Sequence, residues 1–346
     1  MEHSIIEKVI LPISECLPGM KIMQSIVDLR TGTTIVGKGQ ILTQESIEKV
    51  KNFEHSQIWI VPQEETSVWE TESQILEDYK AYTEALKGIL EWHKEAKEDL
   101  ALEQVIDLAD RMVTDFKEEY DILSCVHSVS QLERDDYAHS VHVAFLSLIM
   151  GKWEGYDEEK LKDLVLAALL HDVGKIMISP ELISKKEAEM DLIEKLEYRR
   201  HTIYGYEKLA GYQEMSTEAL KGVLSHHERC DGSGYPLSIK ESKINDIAKV
   251  IGLVDTYEML RRQYHIFDVV KKLSSTMLRK FDVHLLFEFC SNIMNYYVGA
   301  SVLLSNGEVG EVLFIQPQAW GRPIVEVNGK TVNLHEKNCL HIVKVL

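Results

Sequence analysis

Much that would place a chain outside the cell, in a membrane or on a nucleic acid is missing from this sequence. The five cysteines, at positions 16, 125, 230, 290 and 339, include no C-x-x-C pair. They provide neither a disulfide framework nor a zinc ribbon and suit a reducing cytoplasm. No apolar run approaches the roughly 20 residues that span a bilayer. The opening stretch MEHSIIEKVILP has no basic n-region and no long apolar core. No secretion leader is therefore expected, and the expected location is cytoplasmic. Positive charge is scarce: 38 Lys and Arg stand against 56 Asp and Glu, a formal net charge of −18. Such a surface repels nucleic-acid polymers, whose binding needs clustered Lys and Arg. A small anion would need a local cationic site, and a bound metal could provide one. There is no internal repeat and no low-complexity tract.

What is present is a chain of 346 residues, 45% of them hydrophobic, which is enough for two or three cores. Residues 8–62 alternate like short strands, with turns at Thr31-Gly32 and Gly37-Lys38-Gly39, a short helix in QESIEKVKNF and a strand in SQIWIVP. Over residues 70–123 the pattern is helical. Tyr79, Tyr82, Leu86, Ile89 and His93 form one stripe, and Leu102, Val105, Ala109, Met112, Phe116 and Leu123 form another. Such stripes either pack two helices together or form a dimerising coiled coil. Amphipathic helices fill residues 130–297. ASVLLSNGEVGEVLFI and RPIVEVNGKTVNL then each set Asn-Gly between β-type runs, a hairpin signal. The expected architecture is mainly α, a helical bundle over 126–297. A small β-rich domain over 1–66 and a small β unit over 298–346 flank it. Residues 67–125 form a helical linker in which 70–123 is a candidate homodimer seam.

Within the bundle, histidines and carboxylates recur at the ends of apolar runs. LERDDYAHSVHVAFLSLIM sets Asp135 and His139 at i and i+4, on one helix face, where both can reach one ion. LKDLVLAALLHDVGKI delivers His171 and Asp172 at the buried end of a helix, and Gly174 releases the chain. LEYRRHTIYGYEKL carries His201, and EALKGVLSHHERCDGSGYP ends a helix in His226-His227 before a Gly-rich loop. AKVIGLVDTYEML holds Asp255 in an apolar helix, with Glu258 one turn on. Taken singly, each is a hydrogen-bonded core residue or a cap. Together they are many polar groups for one core to satisfy without a cation. Mixed imidazole and carboxylate ligands suit iron, manganese or zinc.

His139, HDVGK, His201, HHERCDGSGYP and Asp255, in this order and at these intervals, resemble the HD-GYP branch of the HD phosphohydrolase superfamily. The resemblance covers residues 130–297, and the LPGMKI…GTTIVGKGQILT stretch is similar to the small β domain often found ahead of such units. It implies an HD-type helical bundle that hydrolyses the bacterial second messenger cyclic di-GMP to pGpG, or onward to GMP, by attack of a metal-bridging hydroxide. It implies two divalent ions, iron or manganese. His139, His171, Asp172 and Asp255 would hold one, and Asp172 would bridge to a second completed by His201, His226 and His227. Asp135 stands where some members place a glutamate for a third ion. Lys175 would meet a phosphate oxygen or protonate the leaving ribose oxygen, and Gly234, Tyr235 and Pro236 would shape the pocket.

The chain also departs from the family pattern. Where members usually read Asp-x-x-Asp-Ala and then Ser-Asp-Arg-Pro-Tyr-Arg, it has DTYEMLRRQYHIF, shorter and with Glu258 for the second aspartate. Arg262 and Tyr264 are the candidates to grip substrate there, and the RRQY stretch reads equally well as a solvated basic turn. Thr202 follows His201 where proline is usual. The metal set is complete and the substrate rim altered. Two alternatives to cyclic di-GMP hydrolysis therefore stand: a slow or inactive cyclic-dinucleotide sensor, and a phosphodiesterase for another cyclic dinucleotide. His127, His142, His265 and His284 receive no part in the site, and nothing local activates the Cys230 thiol.

Overall fold

A computed structural model describes residues 9–13, 16–22, 26–27, 34–36, 40–51, 57–61, 67–96, 99–116, 135–316, 319–336 and 339–346. The described residues fall into two compact units, one drawn from 1–73, 265–271 and 290–346 and the other from 74–264 and 272–289. The boundaries expected at residues 66 and 125 lie outside the described residues.

The first unit holds small antiparallel sheets. β1 (Val9–Pro12), β2 (Lys21–Ile22), β3 (Ile26–Val27), β4 (Thr34–Val36) and β5 (Gln57–Val61) form a three-stranded sheet in the order β1-β5-β2 and a β3-β4 pair. The helix read in QESIEKVKNF is α1 (Gln44–Lys51), which turns Ile47 and Val50 into a cluster with Ile22, Ile26, Val36, Leu42 and Ile60. The turns expected at residues 31–32 and 37–39 lie outside the described residues. Toward the other end, β6 (Ser301–Leu304), β7 (Val309–Phe314), β8 (Ile324–Val327), β9 (Lys330–Asn333) and β10 (Ile342–Val345) pair in the order β10-β6-β7-β8-β9. Both expected hairpins form here. Asn328 and Gly329 take φ of 51° and 75° between the paired Val327 and Lys330, as a two-residue turn requires.

The second unit is helical. It takes in most of α2 (Ser67–Ala96), then α3 (Leu102–Asp115), α4 (Asp136–Trp153), α5 (Glu158–Leu170), α6 (Pro180–Ile183), α7 (Leu192–Arg199), α8 (His201–Leu209), α9 (Thr217–Ser225) and α10 (Asp246–Arg261). α4 packs on α5 and α10, and α9 packs on α5, α8 and α10. Every residue of α4 from Ala138 to Gly151 is buried, and so is every residue of α5 from Leu164 to Leu170. Helices apolar on all sides belong at the centre of a bundle.

The stripe on α2 is used inside the chain. Tyr79, Tyr82, Leu86, Leu90 and His93 are buried, Leu90 taking the inward place expected for Ile89. The Tyr82 ring lies 6.0 Å from Phe116 and 5.9 Å from Phe145. The second stripe is buried from Leu102 to Phe116, and Leu123 lies outside the described residues. A face already packed against α3 and α4 is not open to a second copy.

After α5 the chain passes through His171 and Asp172 into a short 3-10 turn, Val173–Met177, laid against α8. Gly174 permits that approach: a Cβ there would sit 1.9 Å from the His201 carbonyl oxygen and 2.5 Å from the Gly205 nitrogen. Backbone cannot yield like a side chain, so Gly174→Ala is expected to cost about 3 kcal/mol or more. At Gly88, on the exposed side of α2, a Cβ would meet nothing within 4 Å. Gly88→Ala should instead gain up to about 1 kcal/mol of helix propensity. Urea unfolding of the two variants checks both signs.

Candidate metal centre

Three histidines are aimed by the same device. The Nδ1–H of His171 donates to the carbonyl of Ala168 at 2.7 Å, that of His201 to Tyr198 at 2.8 Å, and that of His226 to Val223 at 2.8 Å. Each bond spans three residues at or beside a helix end, where carbonyls lack helical partners. A carbonyl only accepts, so Nδ1 holds the proton and Nε2 is left with its lone pair. In all three residues Nε2 is buried and without a hydrogen-bond partner, and so is Oδ1 of Asp172.

These orphaned atoms converge. Asp172, His201, His226 and His227 offer ligand atoms within 4.8 Å of one another, and His139, His171 and Asp255 do the same. Asp172 joins the two groups. Its Oδ2 lies 3.3 Å from His171 Nε2 and its Oδ1 3.4 Å from His201 Nε2. His139 Nε2 is 3.1 Å from Asp255 Oδ1, and His227 Nδ1 is 3.9 Å from Asp255 Oδ2. Each unsatisfied buried polar atom costs about 1–3 kcal/mol, so the arrangement suits cations, which satisfy all of them together. The residues fit a pair of divalent ions.

The electrostatics agree. Burial lowers the pKa of His139 and His201, and holds His226 and His227 well below the ordinary imidazole value. These four are neutral at pH 7 and ready to coordinate. At His171 burial also pulls downward, but the neighbouring Asp172 outweighs it and raises the pKa. Asp172 and Asp255 are pushed upward by burial, yet both stay below the usual carboxylate range, Asp172 through the Lys175 ammonium and His171, and Asp255 through its hydrogen bond with His139. Lys175 donates to Asp172 Oδ2 at 2.5 Å and stays cationic, because that carboxylate overcomes the desolvation of the ammonium.

Asp135 has a different partner. The sequence sets it on one helix face with His139, but it is the residue before α4, with φ −88° and ψ 179°. Its Oδ1 accepts the Ala138 N–H at 2.7 Å, an N-cap, and it joins neither ligand group. Arg262 and Tyr264 both lie just past α10 and are exposed. Arg262 is exposed at the end of α10, roughly 10 Å of helix rise past Asp255. The Tyr264 ring carries the Lys272 ammonium at 4.2 Å.

The Gly-Tyr-Pro loop does reach the site. A Cβ on Gly234 would lie 2.4 Å from the Glu228 Cα and the His227 carbonyl oxygen, so the loop can double back there only with glycine. Glu228 then accepts N–H groups from Leu237, Ser238 and Ile239, which fixes the chain beyond Pro236. Tyr235 is left stacked on His227, ring centroids 4.6 Å apart.

Several residues were missed by sequence reasoning. Glu228 and Arg229 lie inside the recognised motif. Arg229 ties it to α10 through the His226 carbonyl and Thr256, beside Asp255. His142 pairs with Glu258 at 2.9 Å, one turn from the His139–Asp255 pair, and no periodicity announces a partner on another helix. Tyr198 and Arg199 flank His201 in sequence, and that adjacency could have drawn attention to them. The Cys230 thiol is pushed up to about 11 by burial, which agrees with an unreactive cysteine.

Protons and metal compete for the same Nε2 lone pairs. Burial lowers most of these imidazoles, so protonation sets in only in acid: apparent affinity for manganese should be lower at about pH 5 than at about pH 7.5, and saturating metal should raise the unfolding temperature. Isothermal titration and thermal unfolding at both pH values check this. A pH-independent affinity would contradict it.

Residues 120–278 match the family described as HD domain. A cyclic di-GMP phosphodiesterase of Pseudomonas aeruginosa is 27% identical over 187 residues, covering 51% of this chain and 44% of its own. A 3′3′-cGAMP-specific phosphodiesterase of Vibrio cholerae is 32% identical over 127 residues, covering 36% of this chain and 28% of its own. The chain spans about half the length of the first curated relatives it matches. Among solved structures, an HDG"Y"P protein from Bdellovibrio bacteriovorus aligns over 84% of this chain and 100% of its own, with a TM-score of 0.55 at 16% identity, and so shares the fold. Residues 120–278 thus match an HD domain, and HDVGK and HHERCDGSGYP, the two motifs that resemble the HD-GYP type, both lie within them.

Proposed function

We propose that the cluster is a two-metal centre that hydrolyses a cyclic dinucleotide, cyclic di-GMP first, to pGpG or onward to GMP. The observation that carries this reading is the pair of ligand groups joined by the two oxygens of Asp172. His139, His171 and Asp255 would hold one ion and His201, His226 and His227 the other, with Asp172 common to both. Such nitrogen and carboxylate ligands suit iron or manganese. The Asp135 carboxylate is engaged as an N-cap, which favours two ions over three. The names of the relatives support the substrate class.

Two such ions, when bound, polarise a phosphodiester and ionise a water at neutral pH. The chain supplies the rest. Asp172 and Asp255 limit the positive charge and fix the ions' places. Lys175, held by Asp172 and with its ammonium 5.8 Å from the Tyr198 ring, offers a fixed cation to the charge developing on the phosphoryl oxygens. Tyr235, its ring against His227, borders the cluster.

A second reading, a sensor that binds the nucleotide without turnover, is favoured by the exposed Arg262 and by the Lys272 ammonium over the Tyr264 ring. Manganese- or iron-loaded protein, prepared anaerobically and incubated with cyclic di-GMP, should release pGpG on chromatography. Tight binding without product would support the sensor. Lys175→Met should keep its metal and lose about a hundredfold or more in kcat. Asp172→Ala should lose metal and turnover together, and retention of both would contradict the proposed centre.

A further inference from the structure

The proposed chemistry engages one phosphodiester, whereas a cyclic dinucleotide brings a second nucleotide that must also be held. Beyond Arg262, exposed at a helix end, and Tyr264, beneath Lys272, the structure brings other groups up to the histidine cluster. Two tyrosine rings flank His201, Tyr198 at 5.6 Å and Tyr235 at 6.3 Å between centroids. Each carries a cation. The Lys175 ammonium lies 5.8 Å from the Tyr198 centroid and the Arg199 guanidinium 5.0 Å from that of Tyr235.

The two cations are held differently. Lys175 is bound to Asp172 inside the cluster. Arg199 stands further out: the Tyr235 ring beneath it is the one stacked on His227, and its side chain is 44% exposed. Its partner is Glu187 at 3.0 Å, itself 54% exposed. Ion pairs this open to water contribute little and exchange readily. A phosphate offers the guanidinium a bidentate partner, and a guanidinium on an aromatic face is also a surface on which a purine can stack.

We propose that Arg199, braced on Tyr235, is a second subsite for the non-scissile nucleotide of a cyclic dinucleotide, with the Glu187 carboxylate as its resident competitor. The proposal rests on the phosphodiesterase reading above. It assigns opposite effects to two ion-pair partners, which a merely structural salt bridge does not do: removing either end of such a bridge moves any parameter in the same direction.

The test is steady-state kinetics of the manganese-loaded full chain on cyclic di-GMP and on bis(p-nitrophenyl) phosphate, which has a phosphodiester and no second nucleotide. Arg199→Ala should raise KM for cyclic di-GMP about tenfold, with a much smaller effect on kcat and on the simple diester. Glu187→Gln should lower KM for cyclic di-GMP by about twofold or more, as the competitor is lost. Arg200→Ala serves as the neighbouring control, because Arg200 lies over Tyr204 and pairs with Glu197. It should leave KM for cyclic di-GMP near the wild-type value. A wild-type KM in Arg199→Ala overturns the subsite, as does an equal rise for both substrates or a rise in KM with Glu187→Gln. If the wild-type protein hydrolyses neither compound, the phosphodiesterase reading fails and the subsite falls with it.

Discussion

Three backbone carbonyls, those of Ala168, Tyr198 and Val223, govern what this site can be. Each accepts the Nδ1–H of a histidine three residues later and so turns its Nε2 inward as a lone pair. The side chains come from the ends of α5 and α9 and the start of α8, so their convergence depends on how those helices pack. That packing requires the Gly174 backbone to lie directly on α8. Local capping and close packing together produce a cluster of buried polar atoms that the protein leaves unsatisfied.

Such a cluster opposes folding, and the surrounding bundle has to hold it. α4, α5 and α10 provide long stretches of buried apolar surface around it. Burial keeps most of the imidazoles neutral, which is the form that coordinates metal, while Asp172 and Asp255 remain ionised. The same low dielectric that disfavours empty ligands strengthens their hold on a cation. An acidic protein can thus present a locally positive centre to an anionic substrate without any broad basic surface.

Much of this was legible in the sequence, because ligand types at helix ends and Asn-Gly hairpins are local signals. The helical bundle, the C-terminal hairpins and the seven clustered residues follow from such patterns. Asp135 shows what locality leaves out: i and i+4 spacing suggests a shared face, but an aspartate just before a helix also caps it, and Asp135 accepts the Ala138 N–H. Arg262 and Tyr264 are placed by the length of α10 and by Lys272, neither of which the motif encodes. His142–Glu258 and Arg199–Tyr235 are contacts between distant parts of the chain, invisible to periodicity. The α2 stripe could not reveal whether it would pack within the chain or against a second copy.

The central claim is that Asp172 would be common to two ions. Electron paramagnetic resonance of the manganese-saturated protein tests it most directly. The account predicts a spectrum of exchange-coupled manganese pairs that is lost in Asp172→Ala. A spectrum of isolated, uncoupled ions at full occupancy would contradict it.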